Sequence, residues 1–223
     1  MKLYLSSYKL GNRTDFLKDW IKTNKDNKIA LIPNAGDGYG SSPEVIAEKR
    51  ASHKKLLSDI GFDVSIFDLK EYFGEEREFE KAIKNFRAFW VVGGNTFVLR
   101  QAMKLSGFDK YLLSLKDKEN YLYGGWSAGV CVLAPSLDGL KIVDDPKSNP
   151  YNTEVIWEGL SLLDYLPLPH YQSDHPESAD IEKEVAHAKK NKIPYKTLRD
   201  GEVIIKDTIT GVEKIFTLKA EQK

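Results

Sequence analysis

Short apolar runs recur along the chain, and most of the gaps between them hold polar segments with apolar residues at helical spacing. Leu3-Tyr4-Leu5 opens a short strand, and Thr14 is placed to cap an amphipathic helix over 15–23. The β-rich run 28–33 ends in Asn34-Ala35-Gly36-Asp37-Gly38, a loop composition. Ser41 or Ser42, with Pro43 behind it, starts a helix whose apolar face is Val45, Ile46, Leu56, Leu57 and Ile60, and Gly61 stops it. Residues 63–69 alternate like a strand, and a charged helix over 75–85 turns Phe79, Ala82, Ile83 and Phe86 inward. Ala88-Phe89-Trp90-Val91-Val92 is almost continuously apolar, as a strand covered on both faces must be. Helices over 97–105 and 109–115 follow, then the run Tyr121-Leu122-Tyr123. Regularity weakens after Pro135 until Leu166-Pro167-Leu168-Pro169-His170, and a polar helix covers 177–190. Runs over 202–206 and 212–218, joined by Asp207-Thr208-Ile209-Thr210-Gly211, read as a terminal hairpin. Repeated strand–helix–strand units predict an α/β fold: a mainly parallel sheet with helices on both faces. Reactive groups in such sheets collect at the carboxyl ends of the strands.

Two loops at such ends stand out. One is Gly93-Gly94-Asn95-Thr96 and the other is Gly125-Trp126-Ser127-Ala128-Gly129, set between the apolar runs 121–123 and 130–134. Gly-x-Ser-x-Gly at a strand-to-helix turn keeps its flanks small because the two backbones approach closely. The central hydroxyl is then pushed out above the sheet, where a serine nucleophile for hydrolysis or acyl transfer has to stand. The same pentapeptide also occurs as an ordinary turn, so the rest of a site has to be found.

A serine needs a base in reach and the base needs an orienting acid. Of the four histidines, His53 and His187 fall within polar helices and read as solvated, whereas His170 ends an extended run and His175 follows in a polar loop. His170 is the first candidate base and His175 the second. Spacing does not choose the acid among Asp200, Asp138, Asp144 and Asp145. Amide donors for a tetrahedral intermediate are expected from Ala128 N–H and from the Gly93-Gly94 turn, with Asn95 beside it, although Asn95 or Thr96 could equally be a plain helix cap.

Composition narrows the partners. The 223 residues carry 33 Lys+Arg and 33 Asp+Glu, so no charge excess points to nucleic acid or to an anionic membrane surface. The length suits one domain over 1–223. The single cysteine, Cys131, lies in an apolar run, reads as a small buried hydrophobe and excludes an internal disulfide. With no apolar stretch near the roughly 20 residues of a membrane span, a soluble cytoplasmic protein is expected. No cofactor and no metal are expected, because His170-Tyr171-Gln172-Ser173-Asp174-His175 lacks a firm third ligand. A homodimer stays open.

Val91-Val92-Gly93-Gly94-Asn95-Thr96-Phe97, then Gly125-Trp126-Ser127-Ala128-Gly129, then Pro169-His170-Tyr171 together resemble the peptidase E family, serine dipeptidases related to cyanophycinase. The resemblance runs from the 30–33 strand to the Asp200 region. It implies a three-layer α/β/α fold like that of class I glutamine amidotransferases, with Ser127 as nucleophile and His170 as base. It places the acid at Asp200 in Leu198-Arg199-Asp200-Gly201, with Asp138 as second choice, and it implies short peptides as substrates, among them dipeptides with an N-terminal aspartate. Arg100, Arg199 and Lys141 are the conceivable readers of that aspartate.

Overall fold

A computed structural model describes residues 1–218. In chain order the strands are β1 (Lys2–Ser6), β2 (Lys28–Ile32), β3 (Asp63–Ile66), β4 (Ala88–Val91), β5 (Leu122–Trp126), β6 (Leu166–Leu168), β7 (Tyr195–Thr197), β8 (Val203–Asp207) and β9 (Glu213–Phe216). The helices are α1 (Thr14–Asn24), α2 (Pro43–Ser58), α3 (Glu76–Ile83), α4 (Thr96–Ser106), α5 (Phe108–Ser114), α6 (Ala128–Cys131) and α7 (Ser178–Asn191). Among the described residues, seven strands form one sheet in the order β3-β2-β4-β5-β1-β8-β9. Strands β3, β2, β4, β5 and β1 run parallel; β8 returns antiparallel to β1 and carries β9 as a hairpin. Strands β6 and β7 pair in parallel as a separate ribbon.

Period-two alternation produces the three layers. In β4, Phe89 and Val91 enter one core with Phe79 and Ile83 of α3, Leu99 of α4 and Phe108 of α5. Ala88 and Trp90 enter the opposite core with Leu17 and Trp20 of α1 and Leu57 of α2. Both faces are therefore apolar, and each fully buried large side chain contributes about 1.5–3 kcal/mol of transfer free energy. A third cluster packs Phe97, Cys131 and Leu140 against Leu166, Leu168 and Ile181, fastening the β6–β7 ribbon and α7 to the edge of the main body.

Several elements differ from the pattern reading. Thr14 is the first residue of α1 and not its cap; Arg13 holds that position, with its guanidinium 2.7 Å from Asp15. Ser42 caps α2, but Val45 is exposed and Leu57 is the one α2 residue that is fully buried. The inward stripe of α2 is Ile46, Arg50, His53 and Leu57, one residue per turn, so two cationic-type side chains face the sheet. Strand β7 escaped notice because Tyr195-Lys196-Thr197 is short and only half-buried.

Candidate active site

Strand β5 ends at Trp126, and Ser127 turns the chain into α6 with φ 50° and ψ −120°. Such an angle pair is strained for a residue with a Cβ. The flanking glycines have a steric reason: a Cβ on Gly125 or Gly129 would lie 2.5 or 2.4 Å from the Val91 carbonyl oxygen of the neighbouring strand. Gly93, at the end of β4, packs against the same turn, since a Cβ there would sit 3.0 Å from Ser127 Cβ and 2.8 Å from the Trp126 indole nitrogen. Gly94 has φ +147°, and a side chain on it would strike the backbone of Ala35 at 2.4 Å. The backbones of Gly93 and Ala128 thus flank the serine.

The β6–β7 ribbon supplies a second pair of groups. Leu168 and Thr197 are in register, so the residues just beyond them, His170 and Asp200, emerge side by side. His170 is almost wholly buried and has φ +60°, another strained turn. Its Nδ1 lies 2.7 Å from Asp200 Oδ1. Ser7, just past β1, ties the two together: its hydroxyl donates to Asp200 Oδ1 at 2.8 Å and accepts the His170 backbone N–H at 2.8 Å. Ser173 Oγ accepts the Asp200 backbone N–H at 2.8 Å, which fixes the acid from the other side. Burial pulls the His170 pKa below its ordinary 6.5; the Asp200 charge opposes this and His175 adds to it.

One cavity reaches Gly93, which packs on Ser127, and another is lined by Ser127 itself. The first, of about 70 Å³, is lined by Pro33, Asp37, Tyr39, Val92 and Gly93 together with Ile46, Lys49, Arg50 and His53 of α2. His53 sits edge-on to Trp126 at 5.1 Å, and its Nδ1, like Arg50 Nε, is buried without a hydrogen-bond partner. Arg50 Nη2 is anchored on Asp68 at 2.6 Å. The second cavity, of about 10 Å³, has room for roughly one water. It is lined by Ser127, Cys131 and Pro169 and by three carboxyls, Asp144, Glu177 and Glu184. Burial is the leading cause that raises all three, to about 6 for Asp144 and about 8 for Glu184; the Glu177 charge adds to both of these, the Asp144 charge adds at Glu184, and Asp200 and Asp180 add at Glu177. Thr96 N–H donates to Asp144 Oδ2 at 2.9 Å, and Glu184 keeps one carboxyl oxygen buried and unpartnered.

With this geometry in view, comparison with known proteins is decisive. The model of peptidase family S51 matches residues 4–210. The chain belongs to peptidase family S51. An uncharacterized peptidase of Listeria innocua is 31% identical over 145 residues, covering 65% of this chain and 65% of that protein. Its counterpart in Listeria monocytogenes is 30% identical over 65% of this chain and 66% of its own length, so the match spans just under two thirds of each. A third, from Pasteurella multocida, is 33% identical over 76% of this chain and 77% of its own length. The fold matches a crystal structure from Listeria monocytogenes EGD-e, designated a candidate peptidase E protein, with TM-score 0.77, 23% identity and 98% coverage of both chains. It also matches a peptidase from an acI-B1 Actinobacterium, with TM-score 0.64, 14% identity and coverage of 97% and 93%.

Within this S51 chain some expected residues take other positions. Asn95 is the cap of α4: its Oδ1 accepts the Phe97 and Val98 N–H groups, and its Nδ2 donates one hydrogen to the Asp145 carbonyl. Asp138, the second-choice acid, is half-buried and paired with Lys141 at 2.7 Å. Arg100 is removed as an aspartate reader, because it is buried with Asp109 at 2.9 Å and with the Glu158 carbonyl. Arg199 is exposed and donates to Gln172 at 2.7 Å. His53 is half-buried and lines a cavity, contrary to its reading as a solvated histidine; the signal that could have found it is its one-turn spacing from Ile46, Arg50 and Leu57. Cys131 is buried, and burial pushes its thiol well above the ordinary range. Ser7 gave no motif at all. The third metal donor missing from 170–175 is present just beyond it, in Glu177. No helix among the described residues is long and apolar enough to cross a membrane.

The buried acid on α7 has a measurable consequence. Glu184 holds its proton to about 8 when folded against an ordinary 4.5, so the folded state binds more protons between those values and stability falls as pH rises through that window. Glu184→Gln lacks this penalty. Its melting temperature should equal that of the wild type near pH 4.5 and exceed it by on the order of 5 °C at pH 8.5. Equal melting at both pH values would show that Glu184 is not a strained buried acid.

Proposed function

We propose that this S51 chain is a serine peptidase acting on short peptides, with Ser127 as nucleophile, His170 as base and Asp200 as the group that orients the imidazole. The observation that carries the reading is the strained Ser127 turn, which lines one cavity together with Pro169, the residue that leads into the buried, Nδ1-anchored His170. Asp200 holds the proton on Nδ1, so Nε2 is free to take the Ser127 proton as Oγ attacks the scissile carbonyl. The imidazolium then protonates the leaving amine, and water repeats the steps to release the acid product. The amides of Gly93, Gly94 and Ala128 are the proposed donors to the developing oxyanion. Among the described residues the Ser127 hydroxyl has no hydrogen-bond partner. Such bonds commonly tighten only once substrate excludes water.

The charges around Ser127 favour a peptide that begins with an acidic residue. Both the α-amino group and the first side chain lie within a few bonds of the attacked carbonyl. The carboxyl-lined cavity beside Pro169 suits the ammonium, and Lys49 and Arg50, two cations against the single Asp37 in the other cavity, suit a carboxylate. Fluorophosphonate labelling followed by a dipeptide panel tests this reading. We expect stoichiometric label on Ser127, hydrolysis of Asp-Leu at least tenfold faster than of Ala-Leu, and no hydrolysis of N-acetyl-Asp-Leu. Label without hydrolysis of any dipeptide would favour an amidase or esterase for small non-peptide substrates. A folded protein that takes no label would be a binding protein.

A further inference from the structure

The loop from β6 to α7 assembles three donors that hydrolysis does not need together. The rings of His170 and His175 lie face to face, with centroids 3.7 Å apart and planes within 8°. Tyr8 closes over an edge of both rings, at 5.9 and 5.7 Å. Glu177 follows at the start of α7, with a carboxylate oxygen 3.9 Å from His175 Nδ1. One ligating atom from each of His170, His175 and Glu177 lies within 4.8 Å of the other two. We propose that these three residues bind a transition-metal ion of the zinc class, and that the bound ion shuts off hydrolysis by occupying the free nitrogen of His170. The second half of this proposal rests on the serine-peptidase reading; the first half does not.

The chemistry of the donors supports it. Two imidazoles and one carboxylate suit zinc, cobalt or nickel, and are a poor set for magnesium or calcium, which prefer oxygen. His170 already has the outer-shell partner that metal-binding histidines use. Asp200 at Nδ1 fixes the tautomer and leaves Nε2 pointing elsewhere with raised basicity. Zinc at about 2.0–2.1 Å from each nitrogen sets tetrahedral donors roughly 3.3 Å apart, so the widest gap must close by about 1.5 Å. His175 and Glu177 supply that movement. Both are half-buried on a loop, whereas His170 is buried and held at Nδ1 and at its backbone N–H. The parallel rings direct their lone pairs side by side, and a tilt of His175 turns them toward a common point. The ion then takes the lone pair that would accept the Ser127 proton.

Isothermal titration of the full-length protein with zinc chloride tests the site, and the rate of fluorophosphonate labelling of Ser127 tests the shut-off. We expect saturable binding of one zinc ion per chain and none of magnesium or calcium. Outer-shell changes alone weaken metal sites about 10- to 100-fold, so His175→Ala and Glu177→Gln should each weaken zinc at least tenfold. His187→Ala, half-buried on α7 beside Asn191 and outside the three donors, should change nothing. Zinc should stop the labelling and EDTA should restore it, while the labelling rate of His175→Ala, whatever its basal value, should be the same with and without zinc. Zinc binding that is absent, or equally tight in His175→Ala and Glu177→Gln, overturns the site. Binding at the site with labelling unslowed overturns the shut-off. If the metal-free wild type takes no label, the peptidase reading and the shut-off fall together, and calorimetry still decides the site.

Discussion

Replacing Ser127 with alanine is expected to remove peptide hydrolysis while leaving the protein folded. The substitution deletes one oxygen. The turn keeps its Cβ, the neighbouring Gly125 and Gly129 keep their contacts with the Val91 carbonyl, and no buried hydrogen bond is lost, because the Ser127 hydroxyl makes none among the described residues. Loss of a serine nucleophile costs roughly 10⁴-fold or more in turnover. Steady-state hydrolysis of an aspartyl dipeptide, together with a thermal melt, checks both halves. Residual turnover above about one per cent of wild type, with an unchanged melt, would move the nucleophile to another residue.

The second large effect concerns the pair on the β6–β7 ribbon. His170→Ala should lose nearly as much as the serine change, and the Ser127→Ala/His170→Ala double variant should be little worse than either, since a nucleophile and its base act as a unit. Asp200→Asn should lose roughly 10²- to 10⁴-fold, because an amide beside Nδ1 no longer favours the productive tautomer or stabilises the imidazolium. Direction of titration gives a separate readout. Burial lowers the His170 pKa, so kcat/KM in the wild type should rise through an inflection below 6.5 and stay flat above it. The Asp200 charge raises that pKa, so the residual activity of Asp200→Asn should rise through an inflection at still lower pH. An inflection above 6.5 in the wild type, or one that does not move in Asp200→Asn, would mean that another group limits the rate. Full activity in His170→Ala, with loss in His175→Ala, would reassign the base.

The sequence by itself determined the sheet, its two covered faces and the serine turn. Each rests on short-range rules that a chain displays openly. Phe89 and Trp90 must point to opposite faces because strand side chains alternate, and the apolar run 88–92 leaves neither face free for water. Gly125 and Gly129 must be glycine because strand β4 passes within contact of them, and Gly-x-Ser-x-Gly records that approach in one pentapeptide. The position of His170 at the end of an extended run was legible for the same reason.

Only the tertiary structure decided what meets what. Asp200 stands thirty residues from His170, and spacing left it equal to three other acids until the parallel register of β6 and β7 brought the two side by side at 2.7 Å. Ser7 joins them from the opposite end of the chain, through a hydroxyl that no local pattern distinguishes from any other serine. Asn95 fitted a helix cap and a substrate contact equally well as sequence; its hydrogen bonds assign it to the cap. His53 read as solvated because α2 is polar almost throughout, and the inward direction of His53 and Arg50 follows from how that helix lies on the sheet. Periodicity reports which face of an element is apolar. Which charged groups share a cavity depends on contacts between elements distant in sequence, and those distances exist only in the folded chain.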